Sequence, residues 1–143
     1  MGNLSRNFSS HEFRCKCGKC SNEFIVDDKL IKILQGVRDV LGPLKISSGK
    51  RCAEHNKSIG GAKSSWHILR KGRLYAADFM ILDPRRRTLD DSMRLYVECD
   101  LRDAHGLGLY SNPGRVHVDT RPITIFKGAD RARWVDKNVE FKS

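Results

Sequence analysis

The hydrophobic positions of the chain follow two different periods. Between Asp27-Asp28 and Gly42-Pro43, apolar residues recur every three or four positions at Leu30, Ile33, Leu34, Val37, Val40 and Leu41. This spacing places them on one face and predicts an amphipathic helix that Gly42-Pro43 ends. A second helix is predicted from Thr88, whose pairing with Asp91 is typical of an N-terminal cap, to about Cys99.

Other apolar runs are short and either alternate or are continuous, as strands do. The predicted strands are residues 44–47, 76–82, 107–110 and 115–120. The last two flank the turn Asn112-Pro113-Gly114 and are expected to pair antiparallel. Residues 131–134 are expected to form a last strand or turn. The mixture predicts an α+β fold, with an antiparallel sheet flanked by helices.

Two further segments differ from this pattern. Residues 47–65 are rich in glycine, serine and lysine, and a loop of this length within a compact domain is usually functional. Ser9 and Glu12 have the form of a capping box and predict a short helical turn before a cysteine-containing loop. With 143 residues, the chain is expected to be one domain, residues 1–143, in which residues 1–24 form a cysteine-containing N-terminal segment.

Charge and targeting signals suggest where the protein works. The formal net charge of +10 suits a polyanionic partner, which could be nucleic acid, an acidic membrane surface or a bacterial cell wall. The N-terminus lacks the apolar core of a secretory signal, and no run approaches the roughly 18 apolar residues of a membrane span. We therefore expect synthesis in a host cytoplasm without a signal peptide, and no membrane insertion.

The five cysteines are an odd number and leave two interpretations open. Three of them form the compact motif Cys15-x-Cys17-x-x-Cys20, in which Gly18 permits a tight turn. One interpretation is a structural zinc site that Cys52, Cys99 or a histidine such as His11 completes. The other is a loop with free thiols, as a reducing compartment would keep them.

The candidate chemistry rests on His67, Asp78 and His117. Two imidazoles and a carboxylate can hold Zn²⁺ and leave its fourth position open, as in catalytic zinc sites. In the predicted strand that ends at Asp119, alternation puts His117 and Asp119 on one face and the two valines towards the core. Asp78 lies in an apolar strand, where a carboxylate is costly unless it is paired or binds a metal. If the three side chains meet, the chain is a hydrolase.

Several segments, taken in order, resemble the zinc D-Ala-D-Ala carboxypeptidase and endopeptidase family, and within it the phage and bacterial peptidoglycan peptidases. The matching segments are Asn7-Phe8-Ser9-x-x-Glu12-Phe13-x-Cys15-x-Cys17-Gly18, Ser48-Gly49-Lys50-Arg51-Cys52-x-x-His55-Asn56, Ile59-Gly60-Gly61-Ala62, Ser65-x-His67, Ala76-Ala77-Asp78, Gly106-Leu107-Gly108-Leu109-Tyr110, Val116-His117-Val118-Asp119 and Arg131-Ala132-Arg133-Trp134. The resemblance covers nearly the whole chain. It implies a fold like that of hedgehog and DD-peptidase domains, with the two histidines and Asp78 as Zn²⁺ ligands.

The chain departs from the family pattern in two places. The stretch between His67 and Asp78 is longer than usual, which would reshape one wall of the cleft. Many relatives also carry a catalytic carboxylate three residues before the last histidine, where this chain has Gly114.

The resemblance implies metal-assisted hydrolysis of an amide, in which a general base takes a proton from water. Asp119 is the first candidate for this base; its alternative role is to orient a metal-bound histidine. His105 is the second candidate. Arg51 is expected to face the site, where it could bind a peptide carboxylate or stabilise the oxyanion.

The substrate that the resemblance implies is a stem or cross-link peptide of peptidoglycan, cleaved at a D-Ala-D-Ala or an L-Ala-D-Glu bond. The protein would be a phage or prophage lysin, either an endolysin or a virion-carried enzyme beside other virion proteins. It would act on the cell wall after release, as a monomer. One alternative is a non-catalytic wall-binding or virion structural protein on the same fold, with a degenerate site. A nucleic-acid partner is not expected, because the basic residues are spread through every segment and not clustered with aromatics.

Overall fold

The computed structural model of the protein describes residues 2–123 and 131–139. The helices in these residues are Asp28–Leu41 (α1), Ala53–Ser58 (α2) and Leu89–Leu101 (α3). The strands are Ile25–Val26 (β1), Leu44–Ser48 (β2), Arg73–Leu74 (β3), Ala76–Ile81 (β4), Gly106–Leu109 (β5), Val116–Asp119 (β6) and Ala132–Val135 (β7). Two 3₁₀ turns, Ser10–Phe13 and Pro84–Arg86, complete the regular structure.

Five strands form one sheet in the order β2-β4-β6-β5-β7. The first four pair antiparallel with their neighbours, whereas β7 joins β5 in parallel. The short strands β1 and β3 form a separate parallel pair. The α+β prediction is confirmed, and the sheet is mostly antiparallel with one parallel edge.

Helices α1 and α3 cover one face of this sheet. Helix α3 packs on β4, β5 and β6, and α1 packs against α3. The shared core takes its side chains from both layers: Leu30, Leu34 and Val37 of α1, Leu95 and Cys99 of α3, and Ala77, Phe79, Leu107, Val116 and Val118 of the sheet. The predicted apolar face of α1 is therefore buried except at its last turn, where Val40 is exposed and Leu41 is half-buried.

The capping and strand predictions are confirmed with small shifts in the bounds. The Glu12 carboxylate accepts a hydrogen bond from the Ser9 N–H at 2.7 Å, and the Thr88 hydroxyl accepts one from the Asp91 N–H at 3.2 Å. The expected antiparallel pair is β5 with β6, and residues 132–135 form the last strand.

The prediction of a continuous loop over residues 47–65 is wrong in its middle. Helix α2 lies there, with Cys52 at its N-cap. The pattern missed it because its one buried residue is polar: Asn56, which donates to the Ala62 carbonyl at 2.8 Å. A helix this short has no apolar stripe to detect.

The other face of the sheet carries polar side chains in two rows that run across the strands. One row aligns Ser48, Asp78, His117, Gly108 and Trp134 as successive cross-strand partners. The next row aligns Ala76, Asp119, Gly106 and Ala132. Because cross-strand partners lie about 5 Å apart, the register alone brings Asp78 against His117.

Within the described residues, no helix has the length and apolarity that crossing a membrane requires.

Candidate metal centre

The structure brings His67, Asp78 and His117 together on the polar face of the sheet. Each can offer one ligand atom to a common point, and these atoms lie within 4.8 Å of one another. All three side chains are buried. Asp78 is on β4, His117 faces it from β6, and His67 reaches the same point from the loop after α2. The predicted ligand set therefore converges.

The hydrogen bonds of the two imidazoles decide which nitrogens face this point. His67 Nδ1 is 2.7 Å from the Gly49 carbonyl, which can only accept, so Nε2 is left to face Asp78 Oδ1 at 3.2 Å. His117 Nε2 is 2.8 Å from Asp119 Oδ2, so Nδ1 is left to face Asp78 Oδ1 at 3.0 Å. Each of these two contacts requires a proton between the imidazole nitrogen and the carboxylate oxygen, unless one cation is shared by all three atoms. This donor set fits Zn²⁺.

The charges around Asp78 keep it ionised although its side chain is fully buried. Burial alone would raise the pKa of Asp78, but hydrogen bonds from His117 and His67 and the charges of those rings hold it well below its ordinary value. Its Oδ2 accepts from Arg51 at 3.1 Å and from Arg115 at 2.9 Å. Its Oδ1 also accepts from the Tyr110 hydroxyl at 2.8 Å.

The pKa of His117 is shifted in the opposite direction. Burial would lower it, but the hydrogen bonds to Asp119 and Asp78 outweigh burial and raise the pKa of His117 to about 9. In the metal-free chain both nitrogens of this ring are therefore protonated at neutral pH. A metal ion would have to displace that proton to bind Nδ1.

Asp119 lies on the opposite side of the His117 ring from Asp78, and both of its carboxylate oxygens accept hydrogen bonds. Its oxygens accept from His117 Nε2, from the Arg121 backbone N–H at 3.1 Å, and from the Arg121 guanidinium at 2.8 and 2.6 Å. Burial would raise its pKa, but these bonds hold the pKa of Asp119 far below its ordinary value. A carboxylate held this way is a poor proton acceptor. The contacts favour the role of orienting His117 over the role of general base.

Arg51 does face the site, as expected, but its donors are already engaged. Besides Asp78, it contacts Ser48 Oγ at 3.2 Å and Asn56 Oδ1 at 3.4 Å, and its backbone N–H donates to the His67 carbonyl. It therefore fixes both Asp78 and the chain at His67.

His105 lies apart from the three ligands. Its Nδ1 is 2.7 Å from the Arg121 carbonyl, and its Nε2 accepts from the Lys29 ammonium at 2.9 Å. Neither partner belongs to the ligand cluster, so the geometry gives no support to its role as a base.

Arg115 and Tyr110 are site residues that the sequence did not reveal. Arg115 pairs with Asp78, whereas Asp119 pairs with Arg121. Its guanidinium packs on the Tyr110 ring at 4.4 Å, and its buried Nε has no hydrogen-bond partner among the described residues. Both residues flank the turn between β5 and β6. The available signals were the position of this hairpin beside His117 and, for Tyr110, its place in the segment that resembles the family.

Two glycines of β5 make room for the site. A Cβ at Gly106 would collide with the Asp119 carboxylate, and one at Gly108 would collide with the Trp134 ring. Trp134 uses this space to pack 5.8 Å from the His117 ring and 5.0 Å from Tyr110. The Gly-x-Gly spacing in the sequence thus reflects two close approaches on one face of the strand.

Gly114, three residues before His117, cannot accommodate a side chain here. Its φ is +94°, and a Cβ would collide with Arg87. Its N–H also donates to the Ser92 hydroxyl at 2.5 Å. The turn is built around a glycine, so a catalytic carboxylate cannot have this position.

The long stretch between His67 and Asp78 forms a tight turn beside Trp66. Arg70 and Arg73 bridge across it, and Lys71 and Gly72 have positive φ. The Arg70 guanidinium lies over the Trp66 ring at 4.5 Å. The turn therefore places a basic and an aromatic side chain next to His67, and the expected change in the cleft wall stays a prediction.

Comparison with known proteins assigns this site to a family. The profile described as Peptidase M15 matches residues 6–119, which include all three candidate ligands. The chain belongs to the peptidase M15 family. No curated protein and no solved structure gave a match. Peptidase M15 enzymes are zinc-dependent, and the family supports a peptidase that acts on peptidoglycan peptides.

Proposed function

We propose that this chain is a zinc peptidase that hydrolyses amide bonds in the stem or cross-link peptides of peptidoglycan, with His67, Asp78 and His117 as the metal ligands. The observation that carries the proposal is the convergence of two imidazole nitrogens on one buried carboxylate oxygen. The match to the peptidase M15 family supports the reaction class. When bound, Zn²⁺ would polarise the scissile carbonyl and lower the pKa of a water molecule.

The residues around the ligands have separable tasks. The Gly49 carbonyl and the Asp119 carboxylate fix the two imidazoles through their outer nitrogens, as groups behind metal-binding histidines commonly do. Arg51 fixes Asp78 from behind. Preorganised ligands of this kind raise metal affinity because little order is lost on binding.

Arg115 is the residue best placed to meet the substrate. Its side chain is 27% exposed, against 10% for Arg51. Burial and the charge of Asp78 raise the pKa of Tyr110, so its hydroxyl stays protonated and keeps its hydrogen bond to Asp78 Oδ1. The Arg115 guanidinium, which packs on the Tyr110 ring, suits a peptide carboxylate or the developing oxyanion.

The biological setting that we propose is a phage or prophage lysin, an endolysin or a virion-carried enzyme. The net charge of +10 supports an anionic target such as the cell wall. The chain would then act on the wall as a monomer. Both the D-Ala-D-Ala and the L-Ala-D-Glu bond remain candidate substrates.

The test is digestion of purified peptidoglycan by the zinc-loaded protein, with mass analysis of the fragments. We expect new amino groups, and the fragment masses name the bond. His117→Ala should abolish the release. His11→Ala is the matched control, because His11 is exposed and outside the site. Zinc binding without release from several wall types would overturn the peptidase and favour a degenerate, wall-binding protein.

A further inference from the structure

A second group of metal-binding side chains lies outside the candidate metal centre. The Sγ atoms of Cys15, Cys17, Cys20 and Cys52 all lie within 4.8 Å of one another. Cys52 therefore completes the motif, whereas Cys99 is buried in α3 within the hydrophobic core and His11 is exposed. All five cysteines are free thiols.

The mutual closeness of four sulfurs is the geometry of a tetrahedral site. A Zn–S bond of about 2.3 Å places four tetrahedral sulfurs roughly 3.8 Å apart. Every pair of these four sulfurs lies within 4.8 Å, as a shared tetrahedral ion requires. Disulfides would instead favour two close pairs, and a free cysteine loop would not gather four sulfurs from two separate segments.

Backbone N–H groups already point at three of these sulfurs. The N–H groups of Lys19 and Cys20 donate to Cys17 Sγ at 3.3 and 3.4 Å, in a turn that Gly18 makes with a φ of +69°. The Cys52 N–H donates to Cys15 Sγ, and the His55 N–H to Cys52 Sγ, both at 3.4 Å. Donors of this kind stabilise a thiolate, which is the form that binds metal.

The cluster joins the N-terminal segment to the loop that supports the candidate metal centre. Cys52 directly follows Arg51, which contacts Asp78, and Gly49 accepts from His67. The same two segments are also joined by the hydrogen bond from the Lys50 N–H to the Phe13 carbonyl at 2.9 Å. A metal ion here would fix the loop that holds the first ligand.

We propose that Cys15, Cys17, Cys20 and Cys52 bind one structural Zn²⁺ ion that anchors the N-terminal segment to this loop. The set is closed, with four sulfur ligands and no open position, so its role is structural and not catalytic. The proposal does not depend on the peptidase activity. It predicts two zinc ions per chain, of which one survives loss of the His67 site.

The test measures the metal content of the full chain, by elemental analysis, for wild type and variants. Wild type should hold two zinc ions, His67→Ala one, and Cys17→Ser together with Cys20→Ser one. Cys99→Ala is the matched control and should keep both, because this thiol is outside the cluster. In His67→Ala, cobalt in place of zinc should give the absorption of tetrahedral four-sulfur coordination.

A wild-type measurement covers the case in which the cysteine variants do not fold. Titration with an organic mercurial, followed with a zinc-binding dye, should release one zinc ion as four thiols react. Release of no zinc, iron in its place, or disulfides between these cysteines in protein prepared under reducing, zinc-replete conditions would overturn the proposal.

Discussion

The two candidate metal clusters of this chain are built in opposite ways. The His67, Asp78 and His117 cluster is buried and mixed in ligand type, and two of its members come from adjacent strands in fixed register. The cysteine cluster is mostly half-buried, has one ligand type, and is gathered from loops and a helix cap. Around a bound ion, the first cluster would leave one coordination position open, whereas the second would complete a tetrahedron with protein ligands.

The difference shows what each part of the fold contributes. A rigid sheet holds the reactive groups, because the register fixes the distance between Asp78 and His117 to within a small range. The third ligand, His67, comes from a loop and needs separate support. The cysteine cluster includes Cys52, which follows the two residues that contact His67, Gly49 and Arg51. The structural site would therefore steady the one ligand that the sheet does not hold.

The largest effect is expected from removing the carboxylate at the centre of the first cluster. Asp78→Ala leaves Arg51, Arg115 and the protonated His117 without their shared counter-charge in a buried site. Breaking a buried ionic network in this way costs about 3–5 kcal/mol of folding stability. We expect no hydrolysis and a marked loss in the free energy of unfolding by urea denaturation. Asp83→Ala is the control and should change little, because the partners of this half-buried carboxylate among the described residues are all on the exposed Arg85.

The next effect separates the two roles of Asp119. Asp119→Asn should weaken zinc binding at the first cluster by about 10- to 100-fold, because Asp119 orients His117. Hydrolysis should then recover at saturating zinc. If activity stays lost while zinc is fully bound, Asp119 is the general base and the positioning role is wrong.

A smaller effect is expected from the cysteine cluster. Cys17→Ser should lower hydrolysis without abolishing it, because the first cluster keeps its ligands while the supporting loop loses its anchor. The measurement compares kcat and the zinc affinity of the His67 site between wild type and Cys17→Ser. An unchanged zinc affinity and an unchanged kcat would show that the two clusters are independent.

The smallest effect is the pH dependence of the metal-free chain. The pKa of His117 is raised from 6.5 to about 9, so its contribution to stability is complete below about pH 6.5 and is lost as pH rises through 9. The pKa values of Asp78 and Asp119 are lowered, so their contribution is lost only as pH falls below about 4. The melting temperature of chelated protein should therefore fall between pH 6.5 and 10. His117→Gln should remove that part of the fall, and an identical pH profile in both proteins would contradict the assigned pKa.

Sequence patterns predicted the parts of the site that follow strand geometry. The alternation in β6 put His117 and Asp119 on one face, and the cost of a lone buried carboxylate marked Asp78. Arg115 and Tyr110 could not be assigned, because their approach to Asp78 depends on how the hairpin turn folds back. Helix α2 was missed because it has no apolar stripe.

The cysteine cluster shows a second limit of sequence patterns, because they could not identify its fourth member. The sequence offered Cys52, Cys99 and His11 as equal fourth partners for the cysteine motif. Only the packing of the N-terminal segment on the loop after β2 distinguishes Cys52, through bonds such as that from its N–H to Cys15 Sγ. A contact between residues 37 positions apart leaves no periodic trace in the sequence.

The central claim is that hydrolysis of peptidoglycan requires zinc at His67, Asp78 and His117. The most direct measurement is to strip the protein of metal, return zinc in steps, and follow amino-group release in wild type, His67→Ala and the control His11→Ala. We predict that release recovers in wild type and His11→Ala as the second equivalent of zinc binds, and that it stays absent in His67→Ala at every zinc concentration. Equal release by His67→Ala, or full release by the stripped protein, would contradict the account.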